Sequence, residues 1–168
     1  MFKLKDKLNI TLLISFLIAL ILTVWLYLQF ENRVGDIAFN KEIDNATFKV
    51  CDEKQLFQYY SVNSNYQGGK KALKKEIWEV VQQLSFDTSG LITFRFIINC
   101  NGDVGRFRVK SIHNELNEIR FNIQKLHALQ SVLENLSNWN PGMWGDEKYD
   151  SYYVLNFKIE QGKITDIF

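Results

Sequence analysis

The chain has one proline, Pro141, and two histidines, His113 and His127, among 168 residues. A single proline excludes a proline-rich rigid spacer. The two histidines form no H-E-x-x-H pattern, and there is no G-x-S-x-G, no C-x-x-C and no complete P-loop. The segment "GGKKAL" (68–73) lacks P-loop spacing and does not follow an apolar strand. Charge of one sign is missing too: 20 Lys and Arg stand against 19 Asp and Glu. No basic excess marks a nucleic-acid binder. Asp87 and Asp103 read as turn residues, and no carboxylate pair suited to acid–base work can be picked out. The expectation is a protein that binds and does not transform, with no catalytic, cofactor or metal residues and no enzyme activity.

One stretch lacks charge altogether. Leu8–Phe30 is 23 residues long, "LNITLLISFLIALILTVWLYLQF". As a helix it would measure roughly 34 Å, enough for a hydrocarbon core of about 30 Å. Lys3, Lys5 and Lys7 precede it, and Trp25 and Tyr27 sit near its far end. That arrangement predicts a cytoplasmic N-terminus and an interfacial aromatic belt. A cleaved signal peptide would need small residues at a cleavage site, and "WLYLQFENR" offers none. The reading is residues 1–7 cytoplasmic, 8–30 a transmembrane signal anchor, and everything from Glu31 outside the cytoplasm. The first 30 residues hold three lysines and one aspartate. The exported part thus carries 20 less 3 basic and 19 less 1 acidic residues, a net charge near −1. Strong adhesion to anionic lipid or DNA is not expected of it.

Cysteine is scarce: Cys51 and Cys100 are the two present, both on the exported side. In an oxidising compartment they can pair as a disulfide; otherwise they are two buried thiols. Neither has a Cys or His neighbour at metal-ligand spacing.

Residues 31–65 read as a linker and irregular lead-in. "TFKV" (47–50) could be a short strand, and "EKQLFQYY" (53–60) is ambiguous between helix and strand. From Gly68–Gly69 the pattern sharpens. Leu73, Ile77, Val80, Val81 and Leu84 fall on one face of a helix. "LITFRFIINCNGDVGRFRVKSI" alternates with period two and contains Asn101-Gly102, a hairpin signal. A two-residue turn there sets Phe96 opposite Phe107 and Phe94 opposite Val109, both pairs core-facing; a longer loop with a bulge is the alternative. A second helix is expected over about 122–136, with Leu126, Leu129, Val132, Leu133 and Leu136 on its apolar face and Pro141-Gly142 beyond its end. The last strand is Tyr149–Glu160, with Tyr149, Ser151, Tyr153, Leu155, Phe157 and Ile159 on one face. The class is α+β: a transmembrane helix, then two helices packed on a three-stranded antiparallel sheet.

The order of these elements carries a resemblance. "Y-x-G-G" (66–69) precedes an amphipathic helix; "GLITFRFIINCNGDVGRFRV" (90–109) follows; then come a helix, "W-x-P-G" (139–142) and a final strand. Residues 66–168 resemble the C-terminal domain of TonB-type energy transducers, in the short divergent form found in Bacteroidetes-type bacteria. The resemblance implies a single-pass inner-membrane protein with a periplasmic domain, of which a homodimer is one form. Its implied partners are ExbB/ExbD-like motor subunits and the TonB-box peptide of an outer-membrane receptor. That peptide would be captured by strand addition. By position, the receiving edge is the last strand, with Tyr152, Val154 and Asn156 bordering the peptide. Gly68, Gly69, Gly102, Trp139, Pro141 and Gly142 take structural roles in this picture. The alternative is a membrane-anchored binding or scaffold module with the same fold and no motor coupling.

Overall fold

The structure is a computed structural model, and it describes residues 2–34, 37–113 and 120–168. Two compact units are present, Met1–Asp36 and Ile37–Phe168. The first is one helix, α1 (Phe2–Val34). Within it Asn9–Leu28 is long and apolar enough to cross a membrane, with mean hydropathy 2.5 and no part buried. Its serine and threonine hydroxyls are satisfied within the helix. Thr11 donates to the Lys7 carbonyl, Ser15 to that of Leu12 and Thr23 to that of Ala19, at 2.9, 2.9 and 2.8 Å. Such internal bonding is what a hydrocarbon environment demands.

The second unit contains, in order, β1 (Leu56–Gln58), β2 (Asn65–Tyr66), α2 (Gly69–Val81), β3 (Gly90–Ile98), β4 (Val104–Ile112), α3 (Ile123–Glu134), β5 (Trp139–Asn140), β6 (Gly142–Trp144), β7 (Glu147–Glu160) and β8 (Lys163–Ile167). The mixed α+β class is as expected. The sheet, however, has six strands and not three. β7, β3 and β4 are its antiparallel body; β1 adds to β7 in parallel, and β6 and β8 pair with β7 as well. The added strands are three to five residues long, too short to show a period of their own. β2 and β5 form a separate two-stranded ladder.

The expected register of the hairpin holds for Phe94 opposite Val109, then breaks. Between Arg95 and Ile97 the ladder shifts by one, so Arg106 and Phe107 both stand against Phe96. This is a β-bulge, with Arg106 at φ +54°. Phe96 still stacks on Phe107, ring centroids 4.9 Å apart. Val109 is a correction: it is 43% exposed and does not face the core.

Helices α2 and α3 cover one face of the sheet. Leu73, Ile77 and Val81 of α2 and Leu126, Leu129 and Leu133 of α3 are buried against Phe94, Phe96, Leu155, Phe157 and Ile159. Each such side chain contributes about 1.5–3 kcal/mol on burial. Val80 is not part of this face; it is exposed. α3 is capped by Asn122, whose side chain accepts the Gln124 N–H at 2.8 Å.

The opposite face is covered by the stretch expected to be linker. Ile37 is buried with Ile97 and Tyr152, and Phe48, Val50 and Leu56 pack around them. "TFKV" is therefore packed but forms no strand, and "EKQLFQYY" contributes β1. Two arginines of β4 hold this lead-in. Arg108 pairs with Asp44 at 2.7 Å, and Arg106, buried, pairs with Glu53. Gly35 and Asp36, inside the expected linker, lie outside the described residues.

Candidate peptide-binding edge

Tyr152, Val154 and Asn156 all lie on β7, as expected, but β7 is not a free edge. Nine of its residues, Ser151–Ile159, pair with β3. On its other side β1 covers Asp150–Tyr152 and β8 covers Phe157–Glu160. The Asn156 N–H and C=O both bond Phe168, at 2.8 and 3.0 Å. The Tyr152 carbonyl accepts the Tyr59 N–H at 3.0 Å. The reason for the mismatch is the chain after Glu160. Gln161 and Gly162, at φ +51° and +77°, turn it back on itself, and Ile164 and Ile167 bury themselves in the main core.

One interval stays open. Within a strand, the N–H and C=O of residues two apart point to the same side. Asn156 and Tyr152 point away from β3, so Val154 between them does too. Among the described residues no strand pairs with Val154 on that side. A cavity of about 200 Å³ lies at this interval. Its walls are Tyr59, the α2 residues Lys70, Leu73 and Lys74, the β7 stretch 153–156, and Ile167 and Phe168. Burial raises the Tyr153 phenol above its ordinary pKa, with Tyr59 adding to the effect. Lys74 donates to Asp166 at 3.0 Å. That bond, with help from the Ile167 N–H, holds Asp166 below the ordinary carboxylate range.

The glycine pair lies at the start of the helix that roofs the cavity. Gly68 is the α2 N-cap at φ +83°, and a Cβ there would lie 2.8 Å from the Ala72 Cβ. A side chain would be strained at that φ. Trp139 is buried, with Tyr153, Tyr66 and Phe96 rings at 4.8, 5.0 and 5.5 Å. Gly102 lies against the Trp139 carbonyl and within reach of Pro141, while Gly142 lies against Val62. The hairpin loop and the corner before β6 are thus packed together, and Trp139 of that corner touches the cavity wall at Tyr153.

Cys51 and Cys100 are joined by a disulfide with Cα atoms 6.1 Å apart. Among the described residues, the one close group of His, Cys, Asp or Glu atoms is this disulfide with Asp150. A disulfide carries no thiolate to ligate a metal. Asp150, buried, is itself occupied by the N–H groups of Cys51, Asp52 and Cys100.

No family model, curated protein or solved structure matches this chain. Sequence reasoning missed Tyr59 and β8; it placed Lys70 and Lys74 at the start of α2 but did not connect them with β7. A signal for β8 was present: Gln161-Gly162 follows a clear strand and precedes "KITDI", a turn pair and an apolar alternation too brief to stand out.

Proposed function

We propose that the chain is a membrane-anchored, extracytoplasmic peptide-binding module of the TonB type. The observation that carries this reading is the interrupted edge of β7, where Val154 turns both backbone groups toward a cavity. Unpaired strand backbone is the template that strand-addition binding uses. The apolar N-terminal helix supports a single inner-membrane span, and the disulfide supports an oxidising periplasm.

A second reading adds motor coupling and energised outer-membrane transport, with ExbB/ExbD-like subunits and a TonB-box peptide as partners. The order of sequence motifs favours it.

The test is cross-linking in the native membrane, purification of the full chain and identification of its partners. Envelope proteins captured by contacts at β7 support the module. ExbB/ExbD-like subunits together with an outer-membrane receptor select the second reading. Absence of any specific partner at β7 contradicts both.

A further inference from the structure

We infer that the outer edge of β4 is a strand-addition site separate from β7, and that it receives an extended acidic segment of another protein. β4 ends the sheet path β1-β7-β3-β4, and among the described residues no strand pairs with its outer side. The direction of its backbone groups follows from the ladder. On β7, Tyr152 and Asn156 turn their backbone groups away from β3. Their partners Ile97 and Thr93 therefore turn theirs toward β4. Thr93 stands opposite Lys110, so Lys110 bonds inward and its neighbours Val109 and Ser111 point outward. The next outward carbonyl, that of Phe107, is taken by the Arg108 guanidinium at 2.9 Å. No backbone bond engages Val109 or Ser111 on the outer side among the described residues. Their two N–H and two C=O groups form an open template of the kind that strand addition uses.

A cavity of about 570 Å³ adjoins this edge, between Val109 and Ser111 on one side and Phe121, Ile123 and Leu126, at and before the start of α3, on the other. Val109 and Ile123 are both exposed. A strand added along β4 would send alternate side chains into this apolar space. Lys110 and Arg120 complete the lining, and both are exposed. Neither joins an ion pair among the described residues, whereas Arg108 is paired with Asp44 and Lys125 with Asp87. No carboxylate lines the cavity among the described residues. The acids nearest in sequence, Glu115 and Glu118, lie outside the described residues and are rivals for the site. Two unpaired cations beside an apolar space select a strand that alternates acidic and apolar residues. A second copy of the chain fits worse. The symmetric antiparallel register that uses both outward residues sets Lys110 directly opposite its own counterpart, and like charges so placed destabilise a sheet.

The experiment uses the full chain in detergent and a pool of fluorescein-labelled octapeptides that alternate Val or Ile with Glu. A control pool carries Gln in place of Glu. Binding is read by anisotropy, and its location by amide hydrogen exchange. The Glu pool should bind about tenfold or more tightly than the Gln pool and should slow exchange at Val109 and Ser111. Lys110→Glu combined with Arg120→Glu, both on the surface, should weaken the Glu pool by a similar factor and leave the Gln pool unchanged. Ser111→Pro should abolish the protection at Val109; its N–H faces away from β3, so no ladder bond is lost there. Val154→Pro should leave that protection intact, which separates this site from β7. Equal binding of the two pools, no protection at Val109 and Ser111, or loss of that protection in Val154→Pro overturns the inference while leaving the β7 reading to its own test. Glu115→Gln with Glu118→Gln should change nothing; tighter binding by that variant would make the chain's own segment the occupant and overturn the inference. A dimer in sedimentation that Ser111→Pro dissociates would give the edge to a second copy and overturn it as well.

Discussion

The Asp150 carboxylate grips the backbone of Cys100 through one oxygen, at 2.8 Å, and that of Cys51 through the other, at 2.7 Å. It stands at 1% exposure on β7 and also accepts the Asp52 N–H at 2.8 Å. The disulfide therefore does not bridge two loose loops. It closes over an acceptor that already holds both.

Asp150→Asn keeps the shape but replaces one acceptor oxygen by a donor facing N–H groups. Three charge-assisted bonds are weakened or lost, and the expected destabilisation is about 2–4 kcal/mol. Urea denaturation of the oxidised protein measures it. A loss below about 0.5 kcal/mol would show that this clasp contributes little.

The disulfide encloses a segment with sequence separation 49. The chain-entropy model gives it a stabilisation of about 4 kcal/mol. Cys51→Ser should lower stability by that order under oxidising conditions. Adding reductant should bring the parent protein down to the variant and leave the variant unchanged. An equal deficit with reductant present would assign the effect to packing.

Gly102→Ala places a methyl group 2.6 Å from the Trp139 carbonyl oxygen, at a backbone φ of +89°. Neither the loop nor the Trp139 backbone can yield easily. The expected loss is about 2–4 kcal/mol, from left-handed strain and overpacking together. The thermal midpoint of the variant checks it, and a change under about 2 °C would contradict the close approach.

Asp44 accepts two bonds from the Arg108 guanidinium, at 2.7 and 2.9 Å. The Arg108 bond first, the Asn40 N–H and nearby arginine charges hold its carboxyl below the ordinary value of 3.8 against the opposing effect of burial. A carboxyl depressed on folding stabilises the fold above its unfolded pKa, and loses that contribution as pH falls through the folded value. Asp44→Asn should thus cost about 1–3 kcal/mol near neutrality. The gap between parent and variant should narrow as pH drops below about 4, and a gap constant from pH 7 to pH 3 would contradict the pairing.

The long elements were legible because their periods are long enough to count. α2, β3, β4, α3 and β7 appear in the expected order, and Phe94 meets Val109 as the hairpin signal implied. The apolar span was legible from composition alone. The lead-in was not, because Ile37, Phe48, Val50 and Leu56 are isolated apolar residues in a polar stretch and pack without a period. The bulge escaped because it depends on Arg106 adopting φ +54°, a conformation no sequence pattern marks for arginine. The edge was misread for a topological reason. Whether a strand is an edge depends on what the rest of the chain does, and here β1 and β8 come from opposite ends of the second unit.

The placement of β7 has a consequence for how the second unit assembles during synthesis. It is the strand on which β1, β3, β6 and β8 all converge, yet it follows β3 and β4 in the chain. A polypeptide emerging N-terminus first presents the β3–β4 hairpin, with Phe94 and Phe96, before the strand that covers it arrives. Cys51 and Cys100 also emerge before Asp150. The thiols can therefore meet an oxidant while the sheet is still incomplete, and a premature or wrong pairing would be fixed before the clasp could correct it. Contacts this distant in sequence also form slowly. Folding of the second unit is thus paced by the arrival of one late strand, and the half-made hairpin is the species that chaperones and proteases would meet.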